Sequence, residues 1–306
     1  MKDYVKEYFD KHAEAWVEQA YVGDELAQKF PVGSERVRIA LESVAPAVLD
    51  GGALVDLGCG GGQLLLHAAQ LGWRAVGVDQ APGMIEESRR LTEGLGVELV
   101  EAPYDASGLD DESFEAVTAI GLIEYLADDD GLLREVIRLL KPGGRFAVSC
   151  RNRLYNLASA NAYTERELLG ADADELLIEL RAAVGSTSGS DLRALARELA
   201  AAAEALERAA ELDGEGAETD LLDHPTTFVE ERRQHTPARL RARAEAAGLA
   251  QVAVHPVHPH PLPPGTEPLA PRVYNRLALA WQRGLEGRPL GLAFCSAFVS
   301  TFEKPE

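Results

Sequence analysis

Ala53-Leu-Val-Asp-Leu-Gly-Cys-Gly-Gly-Gly62 is an apolar run that carries an acid, Asp56, and opens into glycine. Gln63-Leu-Leu-Leu-His-Ala-Ala-Gln-Leu-Gly72 follows with helical character. The order predicts a strand, a tight turn and a helix N-terminus. Glycine has no Cβ, so backbone N–H groups in such a turn approach a ligand closely. Trp73-Arg-Ala-Val-Gly-Val-Asp79 reads as a second buried strand that ends in an acid. Asp79 lies 21 residues beyond Gly58, close to the roughly 20 expected of an acid that grips a ribose. Two nucleotide-type ligands suit this unit. The dinucleotide fingerprint requires glycine or alanine where Gln63 stands, so that pattern fails.

The pattern present is acid-x-G-x-G-x-G, formed by Asp56, Gly58, Gly60 and Gly62. Further along come Val78-Asp79-Gln-Ala-Pro-Gly-Met84, Pro103-Tyr-Asp105-Ala106, Leu109-Asp-Asp-Glu-Ser-Phe114-Glu-Ala-Val117 and Leu139-Leu-Lys-Pro-Gly-Gly-Arg-Phe-Ala-Val148. In this order the motifs resemble those of the class I S-adenosylmethionine (SAM)-dependent methyltransferases, closely over residues 50–150 and in outline elsewhere. The resemblance implies a doubly wound, Rossmann-like α/β fold with a seven-stranded sheet whose last strand is antiparallel. It also implies SAM as cofactor. Gly58, Gly60 and Gly62 would face its methionine and ribose parts, with Asp56 shaping the loop. Asp79, with Gln80 beside it, would take the ribose hydroxyls, since a carboxylate can accept from both. Asp105 would accept from the adenine amine, with the Ala106 N–H as its neighbour. Ile120 and Gly121 would end strand four, where methyl and acceptor meet.

Alternation of strands and helices from 53 to 150 independently argues for a parallel, doubly wound sheet. Four segments are expected. Residues 1–48 carry Tyr4, Tyr8, Phe9, Trp16 and Tyr21 in a chain otherwise poor in aromatics. They read as a helical cap over the cofactor, or as a helix packed on the core, with Val5, Phe9 and His12 on one face. Residues 49–150 are the cofactor-binding core. Residues 151–234 break the pattern with stretches rich in Ala, Leu, Glu and Arg. They read as an inserted helical hairpin, Glu165–Val184 and Asp191–Leu212, joined by the flexible Gly185-Ser-Thr-Ser-Gly-Ser190. Residues 235–306 return to the sheet. Thr236-Pro opens a capped helix ending at Gly248, Gln251-Val-Ala-Val-His-Pro is strand six, and Gly291–Phe302 holds the last strand.

The formal net charge of −20 argues against nucleic acid as a partner, because phosphate binding needs basic surface. Arg151 with Arg153, or Arg239, Arg241 and Arg243, would be the only local exceptions. Cys59, Cys150 and Cys295 have no metal-type spacing and read as buried thiols of a reducing, cytoplasmic compartment. The N-terminus lacks a signal-peptide apolar region, and no run of about 18 apolar residues suggests a membrane span.

Methyl transfer is an in-line displacement, promoted by alignment and exclusion of water. A base is needed only for an acceptor that arrives protonated. Arg151 and Asn152, leaving strand five, are candidates to hold an anionic acceptor. His258 and His260, in His255-Pro-Val-His-Pro-His260-Pro, are candidate bases. No acid–histidine spacing of a metal site accompanies them, so no metal is expected. Glu124 stands where many relatives carry Glu-His, but Tyr125 replaces that histidine. The Asn/Asp-Pro-Pro-aromatic signature of amino-methylating nucleic-acid enzymes is missing after strand four, where Ala119-Ile-Gly-Leu122 stands. The expected acceptor is a small molecule methylated on oxygen, a sugar or specialised metabolite, with a possible homodimer through the insertion. The alternatives are a SAM-binding protein that transfers no methyl, and a protein or tRNA methyltransferase.

Overall fold

The computed structural model describes residues 3–21, 29–49, 51–213 and 232–306, with backbone alone for residues 3, 4 and 18–21. Seven strands form one sheet. They are β1 (Ala53–Leu57), β2 (Arg74–Asp79), β3 (Glu98–Glu101), β4 (Phe114–Ile120), β5 (Leu140–Arg151), β6 (Ala250–Pro259) and β7 (Cys295–Glu303). Their spatial order is β3-β2-β1-β4-β5-β7-β6. β7 runs antiparallel between β5 and β6, and the other neighbours pair in parallel. This is the doubly wound sheet with an antiparallel last strand that the motifs imply.

Two apolar layers flank the sheet because successive strand residues point to opposite faces. Val55, Leu57, Val117, Phe146 and Val148 belong to one layer. It is closed by α5 (Asp130–Leu139), through Leu132 and Val136, and by α10 (Pro237–Ala246), through Leu240 and Ala244. Leu54, Ala116, Ala147 and Val299 face the other layer. It is closed by α2 (Val32–Val44), through Val37, Ala40 and Val44, and by α3 (Gln63–Gln70), through Leu64, Leu65 and Ala68. β1 is buried at every position, as a strand covered on both faces must be. β6 lies at the sheet edge, which is why it tolerates Pro256 and Pro259 and runs three residues beyond the expected Pro256.

Helix α1 (Asp3–Tyr21) crosses the ends of three strands. Phe9 meets Tyr125 edge-on beyond β4 at 5.4 Å between ring centroids. The Asp10 carboxylate accepts from the Gly83 N–H at 2.7 Å, at the start of α4 (Pro82–Leu91). Trp16 and Val17 lie over the glycine loop. The expected Val5–Phe9–His12 face is not continuous. The backbone leaves helical geometry at His12, which is exposed, and the kink turns Ala13, Trp16 and Val17 inward instead.

The insertion is helical but is not a simple hairpin. It contains α6 (Ala162–Leu168), α7 (Ala173–Gly185), α8 (Gly189–Ala201) and α9 (Ala203–Asp213). The Gly185–Ser190 connector is a capped turn: Ser188 and Asp191 exchange hydrogen bonds in a capping box that starts α8. Of the expected Leu192 face, Leu195 packs against Gly284 of α11 (Pro271–Leu285), whereas Leu192 is exposed. A short α12 (Pro289–Leu292) precedes β7. Residues 214–231 of the expected insertion lie outside the described residues.

Candidate active site

The glycine loop joins β1 to α3 at the C-terminal edge of the sheet, where open α/β sheets take ligands. Gly58, Gly60 and Gly62 have φ of +72°, +52° and +83°, a region that disfavours any side chain. At Gly62 space is closed as well, since a Cβ there would sit 2.3 Å from Ser88 Oγ. The loop hangs on β2 through the Gly58 and Cys59 N–H groups, both donated to the Val78 carbonyl.

Asp79 is locked in place by the same loop. The Gly60 N–H donates to Oδ2 at 3.0 Å and the Ala81 N–H to Oδ1 at 2.9 Å. Burial raises its pKa, and these N–H donors oppose the rise. Each oxygen keeps a lone pair, so a diol could donate to both. Asp56 is buried at 3% exposure and accepts from Thr118 Oγ1 at 2.7 Å. Burial pushes its carboxyl up to about 7, with the Thr118 hydrogen bond working against the shift. Asp56 therefore ties β1 to β4 beneath the loop.

β3 pairs Glu101 with Asp79, and the chain then turns through Pro103 to bring Asp105 to the neighbouring strand end. Asp105 and Ala106 are exposed, and the Ala106 N–H donates to the Pro103 carbonyl within this turn. A ligand would compete with that bond. Ile120 and Gly121 end β4, and the Gly121 N–H donates to Ser149 Oγ. An acid pair, a glycine cradle and a strand-end acid on one edge fit SAM. A sulfonium suits nearby carboxylates, and the methionine part suits a loop with no Cβ in the way.

The residues expected to hold an acceptor lie toward β5, β7 and β6. Arg151 is in register with Ala297, which is in turn in register with Val257, so Arg151 and His258 come to one end of the sheet. His258 has φ of +59°, stacks on Phe30 at 4.7 Å and meets Ser296 Oγ through Nδ1 at 3.1 Å. Gln282 holds the turn by accepting from the His258 N–H and donating to the Pro256 carbonyl. Burial, aided by His260, Arg36 and Arg151, drives the His258 pKa well below its usual value. Arg36, on α2, approaches the end of β4, with Nη1 3.8 Å from the Cβ position of Gly121. Its Nε is buried without a hydrogen-bond partner.

Asn152 departs from expectation. It is 2% exposed, and both amide hydrogens are taken, by the carbonyls of Leu292 at 2.7 Å and Cys295 at 2.8 Å. Its Oδ1 accepts from the Leu154 N–H. It pins the end of β5 to β7 and has no hydrogen left for an acceptor. Arg153 is engaged too, forked onto Glu167 and Asp172 at the root of the insertion. Arg239, Arg241 and Arg243 pair with Asp172, Glu245 and Asp130, so the supposed basic patch is neutralised. Arg36, Phe30, Tyr155 and Tyr274 escaped the sequence reading, because only packing of α2, the turn after β5 and α11 brings them together.

Among the described residues no group of three histidine, cysteine or acid side chains is arranged for a metal ion, and all three cysteines are free and buried. No helix among them is long and apolar enough to cross a membrane. An open polar cleft of about 530 Å³ lies apart, beside Arg38, His255 and Glu286, and its charges already pair with one another.

Residues 55–148 match the family model described as "Methyltransferase domain". A ubiquinone biosynthesis O-methyltransferase of Xanthomonas axonopodis pv. citri is 35% identical over 126 residues, 40% of this chain and 50% of that protein. The chain thus spans about half the length of the curated relatives it matches. Among solved structures, magnesium protoporphyrin IX methyltransferase of Synechocystis PCC 6803 with bound S-adenosylhomocysteine (SAH) superposes with a TM-score of 0.55 at 13% identity, covering 99% of this chain and 98% of that one. The [4+2]-cyclase SpnF also gives 0.55, at 16% identity, covering 98% and 95%. Residues 55–148 are thus similar to a methyltransferase domain, and the sheet that carries them has the fold of solved SAM-dependent methyltransferases.

Proposed function

We propose that the chain transfers a methyl group from SAM to an oxygen of a small-molecule acceptor, a sugar or specialised metabolite. The observation that carries the reading is Asp79, held by the Gly60 and Ala81 N–H groups beside the glycine cradle. Asp79, with Gln80, takes the ribose. The backbone of Gly58, Gly60 and Gly62 takes the methionine part over a loop braced by Asp56. Asp105 takes the adenine amine, with the Ala106 N–H released from its turn to help. Ile120 and Gly121 line the path of transfer. When bound, SAM supplies an electrophilic methyl on a cationic sulfur.

The remaining work is positional. Helix α1 covers the loop with Trp16 and Val17 and keeps water from the methyl. Arg36 and Arg151, which have no acid partner among the described residues, hold negative charge on either side of the strand ends. His258 and His260 are the candidates to receive a proton from the acceptor. The four segments then divide the task as cap, cofactor core, pocket-forming insertion and C-terminal return. Exposed Leu168, Leu169, Leu177 and Ile178 on α6 and α7 support a homodimer through the insertion. The three buried free thiols support a reducing cytoplasm.

Replacement Asp79→Ala should abolish SAM binding in titration calorimetry while the protein remains folded by circular dichroism. Unchanged affinity would remove the cofactor assignment. Incubation with methyl-labelled SAM and an acceptor library should leave label on an oxygen. SAM binding without label in any acceptor would favour a SAM-binding protein that transfers no methyl.

A further inference from the structure

Two polar atoms at the end of β5 and β6 stand out because burial has left them without partners among the described residues. They are Tyr155 Oη and His260 Nε2. The residues are 6% and 7% exposed. Their rings stack at 4.8 Å with an interplanar angle of 17°, and neither polar atom is bonded to the other. An unpaired buried donor or acceptor is costly, and two in one stack mark a place built for something else.

Their hydrogen-bonding senses follow from the neighbours. Tyr274 Oη has one hydrogen and donates it to the Leu262 carbonyl at 2.8 Å. Toward His260 Nδ1, 2.9 Å away, it is therefore an acceptor, and Nδ1 carries the ring hydrogen. Nε2 is left with a bare lone pair. Tyr155 Oη keeps its hydrogen, since burial raises its pKa. One atom accepts only, and its neighbour donates. A hydroxyl is the group that matches, because it donates once and accepts at the same oxygen. A carboxylate would set its charge against the Nε2 lone pair. An ammonium would face a single acceptor with three hydrogens and meet the Tyr155 hydrogen.

We propose that Tyr155 and His260 form a hydroxyl-binding subsite of the acceptor pocket. His260 Nε2 accepts the hydroxyl hydrogen, Tyr155 Oη donates to its oxygen, and Tyr274 acts as the positioning residue that sets the histidine tautomer. The subsite deepens the methyl-transfer reading by naming a hydroxyl-bearing acceptor, but its test does not depend on turnover.

Nitrogen-15 NMR of the SAH-loaded protein, with His260 assigned by its loss in His260→Gln, should show the Nδ1–H tautomer. Tyr274→Phe should shift the ring toward the Nε2–H form, while a merely structural tyrosine would leave the tautomer unchanged. Phenol at millimolar concentration should move the Nε2 resonance, and anisole and benzoate should not. Tyr155→Phe should weaken phenol about fivefold, the loss of one neutral hydrogen bond. An Nε2–H tautomer in the unmodified protein overturns the subsite. So does a resonance that phenol leaves unmoved, which would mean that water fills the place, and so does equal response to anisole. If the subsite behaves as expected but no acceptor is ever labelled from SAM, the methyl-transfer reading fails and the subsite stands. If label from SAM reaches an acceptor oxygen while the tautomer is wrong, the reverse holds.

Discussion

At the scale of single residues, Asp56 and Asp79 show how one carboxylate type serves two purposes. Asp79 is half-buried and surrounded by N–H donors, so its charge is shared with the backbone while its outer lone pairs stay open. Asp56 is buried with one hydroxyl donor, and its carboxyl rises from 3.8 to about 7. The folded state thus binds a proton that the unfolded chain has released. Asp56 contributes fully below pH 3.8, and that contribution is lost as pH climbs through about 7. Asp56→Asn keeps the acceptor for Thr118 and cannot ionise. Relative to the parent, it should gain stability from pH 4 to about 7 in urea titrations without SAM, at a slope approaching about 1.4 kcal/mol per pH unit, and level off above that. Parallel stability curves for the two proteins would show that Asp56 does not titrate in that window. Glycine and acid positions of this kind are legible in sequence, because backbone conformation and charge admit few substitutes. His260 is legible only as a candidate base and Tyr155 not at all, because their pairing lies in what they fail to contact.

At the scale of elements, the turn leaving β5 joins site and scaffold. Arg151 faces the pocket end, Asn152 stitches β5 to the segment before β7, and Arg153 anchors the insertion. Three adjacent residues of similar polarity carry three different duties, and no local pattern separates them. Asn152→Ala would strand two buried carbonyls and a buried N–H. Thermal or urea unfolding should register a loss of about 2–4 kcal/mol, with SAM affinity unchanged below the transition. A fully stable Asn152→Ala protein that had lost acceptor binding would return this residue to the role expected from sequence. Helix α1 makes the same point, since the kink at His12 redirects its inner face and a straight 3.6-residue repeat could not foresee it.

At the scale of the whole molecule, the insertion is the segment proposed to wall the pocket and to join two copies. Leu169 is 81% exposed and Ile178 68%, on helices whose charged faces already pair with the core. If these residues form a homodimer contact, light scattering should give twice the chain mass at micromolar concentration. Leu169→Glu with Ile178→Glu should halve it without changing SAM affinity. A monomer at every concentration would discard the dimer. The alternation of strands and helices over 53–150, the glycine loop and the acids proposed for the cofactor were legible in the sequence alone. They depend on local periodicity, on positive φ and on short spacing within one βαβ unit, all of which are written in neighbouring residues. Only the tertiary structure decided that Asn152 is structural, that the arginines of 239–243 are neutralised, and that Arg36, Tyr155, His260 and Tyr274 converge. Those outcomes depend on register across β5, β7 and β6 and on which partners burial withholds, and some of the contacts, such as Asn152 to the carbonyls of Leu292 and Cys295, join residues more than 100 positions apart.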